Sequence, residues 1–203
     1  MLEAARLYAI TPDAEPDALV RLVGAVLLGG ADVVQLRHKT LARGALLGLA
    51  RRLAAMVHEA GRLFIVNDHL DIALQAGADG VHLGADDLPL TAARRVAGEG
   101  FLIGASANTP ELARLAVAAG ADYLGAGPAF ATAVKPGKAV IGPHGVAAVA
   151  AAVAVPVFAI GGIEAGNLDL LLAAGVHRAC VIRGLAETAD PEAAARSLRA
   201  ALA

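Results

Sequence analysis

The amino-acid sequence predicts an α/β chain in which eight parallel strands alternate with eight helices and close into a compact (βα)8 TIM barrel, a single domain over residues 1–203. Three observations carry this. One phrase recurs, as GGADVVQLR at 29–37, AGADGVHLG at 76–84, AGADYLGAG at 119–127 and, worn down, AGVHRACVI at 174–182. Self-similarity of that kind means one supersecondary unit used several times. Apolar runs alternate with alanine-rich helical stretches at roughly 25 residues per unit, as parallel strand–helix steps do. No G-x-G-x-x-G follows the first strand, which favours a closed barrel over an open doubly wound sheet.

Taken in order, LYAI opens a strand near 6–11, and Asp17 offers an entry signal for a helix near 17–28. VVQL gives strand 2 near 33–37, and a helical pattern at 44–60 leads to LFIVN, strand 3, at 63–67. A very short helix at 70–76 precedes strand 4 at 80–83, and a helix at 90–97 precedes strand 5 at 101–105. Thr109-Pro110 starts a helix at 110–119, which stops at a glycine before strand 6 at 123–127. Helix 143–152, strand 156–161, helix 166–174 and strand 178–182 follow, and Asp190-Pro191 begins the last helix, 191–202.

Hydrophobic residues make up 57% of the chain and charged residues 18%, which excludes disorder. With 51 alanines and no tryptophan, the core must be aliphatic and packed from small residues. The net charge of −2 and the lack of a basic stripe argue against nucleic acid as a partner. The doublets Arg51-Arg52 and Arg94-Arg95 read as solvated helix faces. The single cysteine, Cys180, allows no internal disulfide and no cysteine-built zinc site, and its apolar neighbours suggest a buried strand thiol. No apolar run approaches the ~18 residues of a membrane span, and MLEAARLYAI is not a signal peptide, so a cytoplasmic protein without a membrane partner is expected.

A barrel of this kind keeps its chemistry at the carboxyl ends of its strands. There the sequence places Gln35, Arg37 and Lys39 after strand 2, Asn67-Asp68 after strand 3 and Asp86-Asp87 after strand 4. Ser106 ends strand 5, and Thr132, Lys135 and Lys138 lie in the segment after strand 6. Gly161-Gly162 ends strand 7 and Arg183-Gly184 strand 8. Arg37, Lys39 and Lys135 suit phosphate oxygens. Asp68 with either Asp86 or Asp87 suits Mg²⁺, which takes few carboxylates and completes its shell with water and substrate phosphates. The six histidines show no i, i+4 pair, which disfavours zinc. Gly162 and the turn after strand 8 occupy the place where barrels often bind a phosphate through backbone amides. Two phosphate-binding regions in one mouth imply two phosphorylated substrates or one bisphosphate. Simpler structural roles stand beside these. Arg37 and Lys39 could be a strand end paired with Asp68, Asp86-Asp87 could begin the helix at Leu90, Gly161-Gly162 could be only a tight turn, and His82 could be a core histidine.

The motifs VQLRHK (34–39), IVNDHLDIAL (65–74), GADGVHLGADDLP (77–89), IGAS (103–106), AIGGI (159–163) and VIRGL (181–185) resemble those of the thiamine-phosphate synthase (thiamine-phosphate pyrophosphorylase) family, in order and spacing, over nearly the whole chain. The resemblance implies a (βα)8 barrel that is a transferase. It would join hydroxymethylpyrimidine diphosphate to hydroxyethylthiazole phosphate and release diphosphate. It also implies pyrimidine-diphosphate contacts at Gln35, Arg37, Lys39, Asn67, Ser106 and Lys135, with Arg37, Lys39 and Lys135 stabilising the leaving group. Mg²⁺ ligands would be Asp68 and Asp87, and thiazole-phosphate contacts Thr132, Gly162, Ile182 and Arg183.

The chain departs from the family at Val134, where a second threonine is usual, and at Arg183, where serine is usual. Both lie on the thiazole side. A related branch that isomerises a carboxythiazole phosphate, and a non-catalytic binder of thiazole phosphate or thiamine phosphate, are the alternatives. Retention of Asn67-Asp68 and Asp87, and Pro128 where the isomerising branch has histidine, favour the synthase. Oligomeric state, homo-oligomers included, is not legible from the sequence.

Overall fold

A parallel strand covered on both faces must be apolar throughout, and each strand here is a short run buried almost end to end. The computed structural model describes residues 1–132 and 139–203. Its strands are β1 (Leu7–Ile10), β2 (Val33–Leu36), β3 (Leu63–Asn67), β4 (Gly80–Leu83), β5 (Leu102–Ser106), β6 (Tyr123–Ala126), β7 (Val157–Ile160) and β8 (Ala179–Val181). All pair in parallel in sequence order, and β8 closes onto β1 through Leu7–Ala179 and Tyr8–Cys180. The predicted barrel is therefore present, with every predicted strand.

The helices that cover it are α1 (Pro16–Leu28), α2 (Arg43–Glu59), α3 (Leu70–Ala76), α4 (Leu90–Ala97), α5 (Pro110–Ala118), α6 (Gly142–Ala151), α7 (Leu168–Ala173), α8 (Arg183–Ala186) and α9 (Pro191–Ala201). Thr109 and Asp190 cap their helices as expected, accepting from Leu112 N at 3.2 Å and Ala193 N at 3.0 Å. Asp17 does not cap α1. Pro16 fills the first helical position after Glu15, and Asp17 instead pairs with Arg52 across 2.8 Å. The sequence pattern does not reveal α8, because four residues are too few to show a helical period.

The repeated GAD phrase is a clasp at the amino-terminal end of the barrel. Asp122 donates its N–H to Ile103 O at 2.8 Å, and its Oδ2 accepts the N–H of that same residue at 2.7 Å. Asp79 does the same to Phe64, at 2.9 and 2.7 Å, and Asp32 to Leu7, at 2.9 and 3.0 Å. Each aspartate thus pins the start of the preceding odd-numbered strand. Each carboxylate is also paired with a cationic or imidazole side chain: Asp32 with Arg62 and Arg199, Asp79 with His58, Asp122 with Arg94. Arg94 is therefore no solvated helix face. It also donates to the carbonyls of Gly98, Phe101 and Gly120. In the fourth copy His177 stands in the aspartate's place.

Aliphatic residues fill the layer between barrel and helices. Inside the barrel, Tyr8, Tyr123 and Phe158 make a buried aromatic floor, with both tyrosines edge-on to Phe158 at centroid distances of 5.4 and 6.1 Å. Gly104 makes room for it, since a Cβ there would lie 2.1 Å from Tyr123 Cζ.

Because Asp122→Ala would orphan the buried Ile103 N–H and release Arg94, it is expected to cost about 2 kcal/mol and lower Tm by roughly 4–8 °C. Thermal unfolding followed by circular dichroism measures this, and a shift under one degree would show the clasp to be energetically idle.

Candidate active site

Because all eight strands run the same way, their carboxyl ends meet at one rim, and a cavity of about 660 Å³ opens there. It takes in, from the sequence-predicted set, Gln35, Arg37, Lys39, Asn67, Asp68, Asp87, Ser106, Thr132, Gly162, Ile182 and Arg183, together with Asp86. Lys135, like Val134 and Lys138, lies outside the described residues.

Gln35 is buried and donates through Nε2 to Tyr8 Oη at 2.8 Å, while the two tyrosine hydroxyls meet at 2.9 Å. Burial drives both phenols' pKa upward, so they remain neutral. Ser106 Oγ lies 3.1 Å from His82 Nε2. His82 is thus no plain core histidine: it lines the cavity. The histidines beside the predicted site do not line it. Leu41 N donates to His38 Nδ1 at 3.1 Å, so His38 Nε2 carries the proton it gives to Ala14 O at 3.0 Å. His69 contacts Arg43 at 3.0 Å.

Asp68 leaves β3 with φ of 64°, a left-handed conformation that aspartate tolerates better than most residues. Its N–H donates to His82 O at 2.9 Å, and its Oδ2 accepts from Lys39 Nζ. Asp87 folds back so that its Oδ2 accepts Gly84 N at 2.7 Å, and its carboxyl interacts with that of Asp68. Asp87 therefore does not start α4, whose N-cap is Pro89. Burial raises the Asp68 carboxyl, but the Lys39 ammonium and Asp87 outweigh it and hold the pKa below the usual range. Burial and the Asp68 carboxylate push Asp87 the other way, above it. Of the two, Asp87 is the one that keeps its proton to higher pH.

Such a pair suits a hard cation that completes its shell with water and phosphate oxygens. No cluster of three or more His, Cys, Asp or Glu that could hold a metal occurs among the described residues, so a self-sufficient zinc cage is not on offer there.

Among the described residues, Lys39, Arg37 and Arg183 at the rim are already paired. Lys39 sits on Asp68, as the simpler structural reading of the sequence has it, whereas Arg37 Nη1 meets Asp13 Oδ2 at 2.9 Å. Arg183, the first residue of α8, pairs with Glu187 at 3.0 Å. Gly161 and Gly162 have φ of 99° and 65°, and a Cβ on Gly162 would lie 2.4 Å from Ala131 O, so the turn they form demands glycine while also lining the cavity. Asp13, His82 and Tyr8 escape the sequence reading. Asp13 follows β1, so the strand-end rule that found the others would have found it too. His82 and Tyr8 sit within strands, where an inward-pointing polar tip looks like core.

These pKa directions set a pH test on the metal-free protein. Folding favours protonated Asp87, a contribution complete below ~4 and lost as pH rises through its raised value. Asp68 contributes above ~4 and loses that as pH falls through its depressed value. Asp87→Asn should therefore raise Tm at pH 7 and Asp68→Asn lower it, each by roughly 1–3 °C. Thermal scans at pH 4 and pH 7 read this, and the reverse order at pH 7 would refute the assignment.

The profile of the family described as thiamine monophosphate synthase matches residues 7–185. The chain is 50% identical to the thiamine-phosphate synthase of Methanoculleus marisnigri over 185 residues, 89% of this chain and 85% of that protein. It is 44% identical to that of Thermosynechococcus vestitus over 197 residues, covering 97% of this chain but 56% of the relative, so it spans about half the length of that protein. Among solved structures it is similar to a thiamine phosphate pyrophosphorylase from Pyrococcus furiosus, with a TM-score of 0.88 and 35% identity, covering 98% of this chain and 95% of the other.

Proposed function

The chain belongs to the thiamine monophosphate synthase family, and from that premise we propose that it joins hydroxymethylpyrimidine diphosphate to hydroxyethylthiazole phosphate, releasing diphosphate and thiamine phosphate. The observation that carries this reading is the cluster of Lys39, Asp68 and Asp87 beside Arg37 at one rim. It joins phosphate-binding cations to a carboxylate pair that needs a cation partner. The substrates are small phosphorylated molecules, and the reaction belongs in the cytoplasm. No described helix is long and apolar enough to cross a membrane.

In the reaction the bond from the pyrimidine methylene carbon to the diphosphate oxygen breaks, and its electron pair leaves on diphosphate. The thiazole nitrogen lone pair forms the new carbon–nitrogen bond. The electron-rich aminopyrimidine stabilises the developing positive methylene, so no protein nucleophile is needed. Arg37, Lys39 and Lys135 would receive the charge growing on the leaving group, where fixed cations lower the barrier most. Lys39 must leave Asp68 to do so. Asp68 and Asp87 would hold Mg²⁺, which when bound spreads the diphosphate's negative charge. Gln35, Asn67 and Ser106 would hold the pyrimidine diphosphate. Gly162, Thr132, Ile182 and Arg183 would receive the thiazole phosphate, with Arg183 turning from Glu187. Holding the two substrates in line converts an encounter into a local step.

Diphosphate release by purified protein should require both substrates and Mg²⁺, and Asp68→Ala should reduce it by about 100-fold or more. Saturable thiazole-phosphate binding with no release would mean a binder instead. Arg183→Ser should raise KM for the thiazole phosphate about three- to tenfold and leave KM for the pyrimidine diphosphate unchanged. An effect confined to the pyrimidine substrate would place Arg183 in the other half of the cavity.

A further inference from the structure

Asp13 lies in the turn between β1 and α1, outside the set of residues that the sequence assigns to substrate or metal. Its one carboxylate is engaged by the neighbouring strand end at two points. Oδ2 accepts from Arg37 Nη1 at 2.9 Å, and Oδ1 accepts the backbone N–H of Lys39 at 2.5 Å. The same two turns are stitched together below it. Thr11 Oγ1 donates to Arg37 O at 3.0 Å and accepts from Arg37 N at 2.9 Å, and His38 Nε2 donates to Ala14 O at 3.0 Å. Those stitches hold the backbone, whereas Asp13 alone among them holds the Arg37 guanidinium.

We propose that Asp13 is a positioning residue, which aims Arg37 and fixes the root of Lys39 for the diphosphate group that leaves in the reaction; this rests on the function proposed above. The Arg37 side chain is only 17% exposed, so the guanidinium is held at the cavity wall with its remaining N–H donors unspent on Asp13. A guanidinium fixed at one edge presents the rest of its planar fork in a set direction, which is what recognition of phosphate oxygens needs. Burial acts to raise the Asp13 carboxyl, but the Lys39 amide and the Arg37 guanidinium outweigh it and hold it below the usual carboxylate range, so it is ionised wherever the enzyme would work.

The carboxylate has two opposed effects. It drains some positive field from the rim, which weakens ground-state attraction for diphosphate. It also fixes direction, which matters most as charge accumulates on the departing oxygen. Removing it therefore separates binding from turnover. Asp13→Ala should lower kcat about 30-fold and leave KM for the pyrimidine diphosphate within about threefold. KM for the thiazole phosphate should stay unchanged. Asp13→Glu, which keeps the charge on a longer arm, should recover part of kcat. Because Asp13 acts mainly through Arg37, Asp13→Ala should cost less in an Arg37→Ala background than alone, the remainder being its hold on the Lys39 backbone.

Steady-state kinetics of the unsubstituted protein, Asp13→Ala, Asp13→Glu, Arg37→Ala and the double variant, with both substrates and Mg²⁺, decide it, with Tm recorded to confirm folding. Unchanged kcat in Asp13→Ala, or losses that add in full in the double variant, would overturn the proposal. Raised KM for both substrates together with a lower Tm would mean a merely structural residue and overturn it too. Turnover absent from the unsubstituted protein would instead refute the proposed function, and Asp13's role with it.

Discussion

Parallel closure is the constraint on which everything else here depends. With all eight strands pointing one way and β8 hydrogen-bonded to β1, every strand delivers its last residue to the same rim. Residues separated by more than a hundred positions, such as Arg37 and Gly162, meet in one cavity because of direction alone. The rim then collects charges of both signs at close quarters. Among the described residues, Arg37, Lys39 and Arg183 each rest on a carboxylate. Lys39 and Arg183 are about half exposed and free to exchange partners, whereas Arg37, 17% exposed, stays on Asp13.

Below the rim, packing follows from composition. An interior poor in aromatic residues gathers three of the chain's six at one level, where Tyr8, Tyr123 and Phe158 plug the barrel and Gln35 stands on the Tyr8 hydroxyl. The plug is what makes the mouth a closed pocket. It also gives the Gln35 amide a fixed sense, since Tyr8 Oη takes its N–H. Gly104 is part of the same device, because the ring of Tyr123 occupies the volume that any side chain there would need.

Much of this was legible in the sequence, and the gaps have physical causes. Strand order and the strand-end residues followed from the GAD repeat and from apolar runs, because both report burial directly. The different settings of Asp86 and Asp87 did not, since both follow β4; only the backbone turn, which folds Asp87 onto Gly84 N, separates them. Arg94 looked solvated because pattern registers which face a residue occupies, not how far a long side chain reaches to Asp122 and three carbonyls. Pro16 fixed the start of α1 one residue ahead of Asp17, as backbone geometry outranked side-chain capping. Asp13 is three residues past the end of β1, and nothing in its neighbours' identity marks it as the partner of Arg37.

The three aspartate clasps sit at the end of the barrel opposite the cavity. Stability and chemistry are thereby written at opposite ends of the same strands. An exchange at the rim, such as arginine for the family's serine at Arg183, leaves the base untouched. A barrel held from below can change its ligand preference one side chain at a time, each intermediate still folded, and its specificity is free to drift while its architecture stays put.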